Sequence, residues 1–154
     1  MSKRNFKPAD FATMSPYMTV QNVKRAMEFY QNAFGFTIRG EAVDEAEEPT
    51  HVEMAFGDAT LMVGQEGAFG NDCKSPISSK IASPISMYVY CEDVDALCAR
   101  AVKAGAELIM PCDTMFWGDR LCRLKDIDGH EWCFATNVGD YMPKPEHQHG
   151  HGCC

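Results

Sequence analysis

Apolar and polar positions follow one pattern twice along this chain. Pro16–Val20 reads as a short strand, and Asn22 after it is a residue type whose side chain accepts from the free backbone N–H groups at a helix start. Val23, Ala26, Met27, Tyr30 and Phe34 then recur at helical spacing up to Gly35, which predicts an amphipathic helix ended by glycine. Three strands are predicted next, Phe36–Val43, His51–Phe56 and Thr60–Val63, with Gly57-Asp58 turning between the last two. The order is βαβββ.

The same order returns in the second half. Ile85–Cys91 reads as a strand and Asp93 as a helix cap, and Val94, Leu97, Cys98, Ala101 and Val102 mark a helix that ends at Gly105. Strands Glu107–Met110, Leu121–Leu124 and Glu131–Ala135 complete the copy, the last two joined through Asp128-Gly129. Asn22 matches Asp93, Gly35 matches Gly105 and Gly57 matches Gly129, each about 70 residues apart, so the chain is read as a tandem repeat. Residues 15–138 are expected to form one domain of two modules, 15–64 and 84–138, joined by a Gly-, Ser- and Pro-rich linker, 65–83. Residues 139–154 are expected to leave the fold as a polar tail.

Composition narrows the function. No apolar run approaches the roughly 20 residues of a membrane span, and the first residues lack the apolar core of a secretory signal, so a cytoplasmic protein is expected. A formal net charge of -8 argues against nucleic acid as the main partner, because binding a phosphate backbone rests on clustered Lys and Arg. The eight cysteines include no C-x-x-C pair, and Cys91, Cys98, Cys122 and Cys133 read as small, reduced core residues on regular elements.

The stretch Met115–Thr136 carries the sharpest signature, a Trp-Gly-Asp-Arg turn, then an Asp-Ile-Asp-Gly-His-Glu-Trp run. With Val20-Gln-Asn-Val23, Phe34-Gly35-Phe36 and His51-Val-Glu-Met-Ala-Phe-Gly-Asp58, it resembles the vicinal oxygen chelate superfamily of glyoxalases, bleomycin-resistance proteins and extradiol dioxygenases, and within it the PhnB-like branch. The resemblance implies an α+β fold in which tandem βαβββ modules form curved mixed sheets around a cup. It also implies a homodimer, since such modules often complete their cups across subunits. In metal-dependent members four ligands face the cup; carried over, those positions fall on Ser15, His51, Ser86 and Cys133. Two hydroxyls, one imidazole and one thiol are a poor set for a divalent ion, so no metal is expected in the cleft.

Strand alternation sorts the cup-facing residues, because side chains two apart share a face. Val52, Met54 and Phe56 are expected to pack under a helix, leaving His51 and Glu53 toward the cup as an acid/base pair or a polar lining. Ser15 and Tyr17, Ser86 and Tyr88, and Glu131 and Cys133 are expected to line the cup by the same rule. Trp117, Asp119 and Arg120 form a second cluster, in which either an indole offers a flat wall and a guanidinium grips an anion, or Asp119 and Arg120 pair locally and Trp117 caps the core. The ending His147-Gln-His149-Gly-His151-Gly-Cys153-Cys154 offers ligands to Zn, Ni or Cu. The expected function is binding of a small aromatic or anionic molecule; the alternatives are a metal-dependent lyase or dioxygenase, or a metal-handling protein acting through its tail.

Overall fold

The computed structural model describes residues 5–43 and 45–142. Its elements are β1 (Tyr17–Val20), α1 (Val23–Phe29), β2 (Thr37–Val43), β3 (Pro49–Phe56), β4 (Ala59–Gln65), a four-residue helix α2 (Pro76–Ser79), β5 (Ser86–Tyr90), α3 (Val94–Lys103), β6 (Glu107–Thr114), β7 (Asp119–Lys125) and β8 (Glu131–Asn137). They make two four-stranded open sheets, ordered β1-β4-β3-β2 and β5-β8-β7-β6. In each, the first strand pairs parallel with the last, and the other pairings are antiparallel. The α+β architecture of two βαβββ modules read from the sequence is the one observed.

Helices α1 and α3 start where capping chemistry starts them. The Asn22 side chain accepts from the Arg25 amide at 2.9 Å and Asp93 from the Ala96 amide at 2.9 Å, each cap contributing about 1 kcal/mol. Beyond Phe29 the first helix widens into a π-helical stretch, Tyr30–Phe34, before Gly35 closes it. The stretch aims Tyr30 and Phe34 at the other module: their ring centroids stand 5.5 and 5.1 Å from that of Trp132 on β8. The helix-facing side chains of both sheets therefore merge into one core.

Asp126, in the β7–β8 turn, ties that joint. One carboxylate oxygen accepts from Tyr30 Oη at 2.7 Å and Trp132 Nε1 at 2.9 Å, and the other accepts from the backbone amides of Asp128 and His130, both at 2.9 Å. Neighbouring bonds run from the Gln21 amide to Asp128 and between His130 Nε2 and the Thr19 carbonyl, each 2.8 Å. His130 is thus held as a structural link between the modules.

The segment between the modules carries more order than its composition suggests. Pro76 opens α2, Ser75 caps it, and both the amide and hydroxyl of Ser75 donate to Glu66 at 2.7 Å. The Ile77 amide donates to the Asp128 carbonyl at 3.0 Å, which docks α2 on the second module. Residues 139–142 also stay on the fold: the amides of Val138 and Gly139 reach the Gly118 carbonyl, and that of Met142 reaches Phe116. Gly118 has φ 96°, and a β-carbon there would run into the Gly139 carbonyl, so the turn needs glycine.

Candidate functional site

Alternation along β3 sends Val52 and Met54 fully into the core and leaves His51 and Glu53 partly exposed on the opposite face. Tyr17 joins them from β1. Its ring lies over Gly64, where any side chain would collide with it, and stacks on His51 at 5.5 Å with a 22° interplanar angle. His51 Nε2 stands 4.0 Å from Glu53 Oε1, beyond hydrogen-bond range, so the pair shares a face without forming a proton relay.

The second sheet carries a more tightly built group. Asp119 is buried, and its Oδ2 accepts from Tyr88 Oη at 2.7 Å, Tyr90 Oη at 2.9 Å and Trp117 Nε1 at 3.2 Å. Its Oδ1 accepts from Asn137 Nδ2 at 3.0 Å. These bonds, that from Asn137 foremost and then that from Tyr88, hold the Asp119 carboxyl below the ordinary carboxylate range. Burial and the bond to Asp119 raise the Tyr88 phenol. With both oxygens engaged, Asp119 positions three aromatic side chains and is not free to act as a base.

Those rings remain open to solvent while pinned at their polar ends: Tyr88 is 46% exposed, Tyr90 59% and Trp117 37%. Beside them Leu121, Cys133 and Ala135 form an apolar floor on the same face, covered in part by Met110 and Met115. A cleft of about 760 Å³ borders the group through Tyr90 and Asn137 and runs along the start of α3 to Phe56 and Gly57. Its size lies within the range of small-molecule pockets.

Several expected residues take other places. Arg120 does not form a wall with Trp117: β7 begins at Asp119, so Arg120 points to the helix side, where it grips Asp95 of α3 through bonds of 2.6 and 2.7 Å. Glu131 is engaged by Arg123 at 2.7 Å, and Ser86 lies exposed at the start of β5. Cys133 is buried in the apolar floor. His147, His149, His151, Cys153 and Cys154 lie outside the described residues.

The positions that would carry a glyoxalase metal do not suit one. His51 sits in the first sheet with Tyr17 and Glu53, and Cys133 packs against Leu121 and Ala135 in the second, while the remaining two donors are serine hydroxyls. Sequence patterning does not single out Asn137 or Asp95 as site residues. Tyr90 is legible as the next same-face residue after Tyr88, whereas nothing in the sequence pairs Asn137 with Asp119 across the sheet.

The sequence is 28% identical over 136 residues to the uncharacterized protein Mb0911c of Mycobacterium bovis, a match covering 87% of this chain and 86% of that protein. Its fold matches TioX from Micromonospora sp. ML1 with a TM-score of 0.65 at 22% identity, over 82% of this chain and 99% of TioX. It also matches TnmS3, an antibiotic binding protein from Streptomyces sp. CB03234, with a TM-score of 0.61 at 18% identity, over 86% of this chain and 100% of TnmS3. The sequence profile of the Glyoxalase/Bleomycin resistance protein/Dioxygenase superfamily matches residues 12–134, and the chain belongs to that superfamily.

Proposed function

We propose that this protein, a PhnB-like member of its superfamily, binds a small, flat aromatic molecule and releases it unchanged. One observation carries the reading: a buried carboxylate, Asp119, fixes three half-open rings, Tyr88, Tyr90 and Trp117, around an apolar floor. Rings held by their polar ends lose little freedom when a ligand stacks on them, so the surface is preorganised for a planar partner. Antibiotic binding by TnmS3 supports the same class of function. An anionic group on the ligand finds less support, because Arg120 is committed to Asp95 and Arg123 to Glu131.

His51, Glu53 and Tyr17 form a second, polar face that complements the aromatic one in a homodimer, each copy lending one face to the other's cleft. All six cysteines among the described residues are free thiols, in keeping with residence in the reducing cytoplasm. Among those residues no helix is long and apolar enough to cross a membrane.

The test is a fluorescence titration with an anthraquinone, with and without a carboxylate substituent, followed by recovery of the compound by chromatography. Trp132 is buried and Trp117 half-open, so quenching that disappears in Trp117→Phe reports the aromatic face. Saturable quenching with unchanged ligand is expected. Binding that survives Tyr88→Ala and Trp117→Ala at wild-type affinity refutes the site, and a converted product refutes binding without turnover.

A further inference from the structure

On the helix-facing side of the second sheet, away from the aromatic group, three thiols converge. Cys98 comes from α3, Cys112 from β6 and Cys122 from β7, and their sulfur atoms all lie within 4.8 Å of one another. Three sulfurs bound to one ion at about 2.3 Å stand roughly 4 Å apart, so closure onto an ion requires only small movements. From these residues we infer a thiolate site for a soft metal ion, copper(I), formed by Cys98, Cys112 and Cys122.

The backbone supplies the first argument. Met110 pairs with Arg123 and Asp113 with Leu121, so β6 carries one residue more than β7 across this interval. This bulge breaks the alternation: Met110 packs on the apolar floor with Leu121 and Cys133, while Cys112, two residues on, packs with the helix-side core. In an unbroken strand both would share one face. The irregularity turns Cys112 toward Cys98 and Cys122.

The repeat supplies an internal comparison. By the matching caps and strand registers, Met27 occupies the place of Cys98 in the first module, and Val52 the place of Cys122. Two of the three positions are therefore filled by ordinary apolar residues in one module and by thiols in the other. Packing alone does not require sulfur there.

The choice of ion follows from the number of donors. Asp95, one helical turn before Cys98, is gripped by Arg120 at 2.6 and 2.7 Å and also meets the Cys112 thiol, but among the described residues only the three sulfurs gather within 4.8 Å of one another, so the set holds three donors. Structural zinc takes four ligands, whereas thiolates in a set of three suit copper(I). Cys98 and Cys122 are buried and Cys112 is partly exposed, which gives the ion a path through Cys112. All three donors stand on regular elements, so the set is preorganised.

The experiment uses the full chain carrying Cys153→Ser and Cys154→Ser, so that the terminal thiols do not compete. This protein, reduced and stripped of metal, is titrated anaerobically with copper(I) against bicinchoninate. One equivalent resistant to the chelator is expected, and Cys112→Ser in the same background is expected to weaken its retention at least tenfold with an unchanged circular dichroism spectrum. Equal retention by Cys112→Ser overturns the site. X-ray absorption of the copper-loaded parent gives a reading that does not depend on the variant's folding: three sulfur neighbours support the assignment, and a shell of nitrogen or oxygen overturns it. Failure of copper(I) to displace zinc(II) added first also overturns the choice of ion.

Discussion

Replacing Asp126 by alanine tests whether its carboxylate joins the two modules. Four donors converge on it, and two of them, Tyr30 Oη and Trp132 Nε1, belong to side chains only 0% and 2% exposed. The phenol and the indole are sealed in the aromatic core. Each buried donor left without a partner costs about 1–3 kcal/mol, so Asp126→Ala is expected to cost about 2–6 kcal/mol. That is a large share of the roughly 5–15 kcal/mol by which a domain is stable. Tyr30→Phe removes one donor and leaves Asp126 three, and is expected to cost about 1–2 kcal/mol. The double variant should cost less than the sum, because removing the Tyr30 hydroxyl removes one of the orphans that Asp126→Ala creates. Urea unfolding followed by tryptophan fluorescence, with midpoint and slope fitted together, measures all three. A loss below about 1 kcal/mol for Asp126→Ala, or strict additivity in the double variant, would refute the account of the joint.

Other expectations rest on separate residues. Hydrogen bonds from Asn137, Tyr88, Tyr90 and Trp117 depress the Asp119 carboxyl, so its stabilisation is fully present above the ordinary aspartate range and is lost as pH falls through the depressed value. The stability gap between wild type and Asp119→Asn should therefore narrow on acidification from about pH 7 toward pH 3 in thermal melts; a gap that widens contradicts the assignment. Gly118→Ala is expected to lower stability by more than about 1 kcal/mol, because it adds a clash with the Gly139 carbonyl to a left-handed backbone; an unchanged melting temperature would show that the turn tolerates a side chain. Asp95→Ala should leave anthraquinone binding intact, since Arg120 then stays on the helix side; a marked gain in affinity for the carboxylate form would mean that the freed Arg120 reaches the ligand.

Much of the fold was legible because the alternation is clean where one face is buried. Val52 and Met54 against His51 and Glu53 is such a case, and Trp132 and Phe134 on β8 is another. Arg120 was misplaced for a physical reason: a strand read from Leu121 leaves residues 119 and 120 in a turn, free to point anywhere, whereas pairing of Asp119 with Asn137 starts the alternation two residues earlier. The order in α2 comes from its docking on the Asp128 carbonyl, a contact that spacing along the chain does not encode. Cys112 lay beyond the predicted end of its strand because Pro111, at the bulge that turns Cys112 inward, reads along the sequence as the end of a strand. The thiol group is assembled from three elements, and local cysteine spacing could not have announced it.

The parallel pairing of first and last strands sets an order of events during synthesis. Once Gln65 has left the ribosome the first sheet has all its strands, yet Tyr30 and Phe34 must wait for Trp132 and Phe134 to cover them. For most of the time the second half is being made, the nascent chain thus presents an uncovered aromatic ridge at the end of its first helix. Slowing translation after residue 65 should lengthen that interval, and the nascent first module is the stage at which chaperone capture or aggregation of this protein is to be sought.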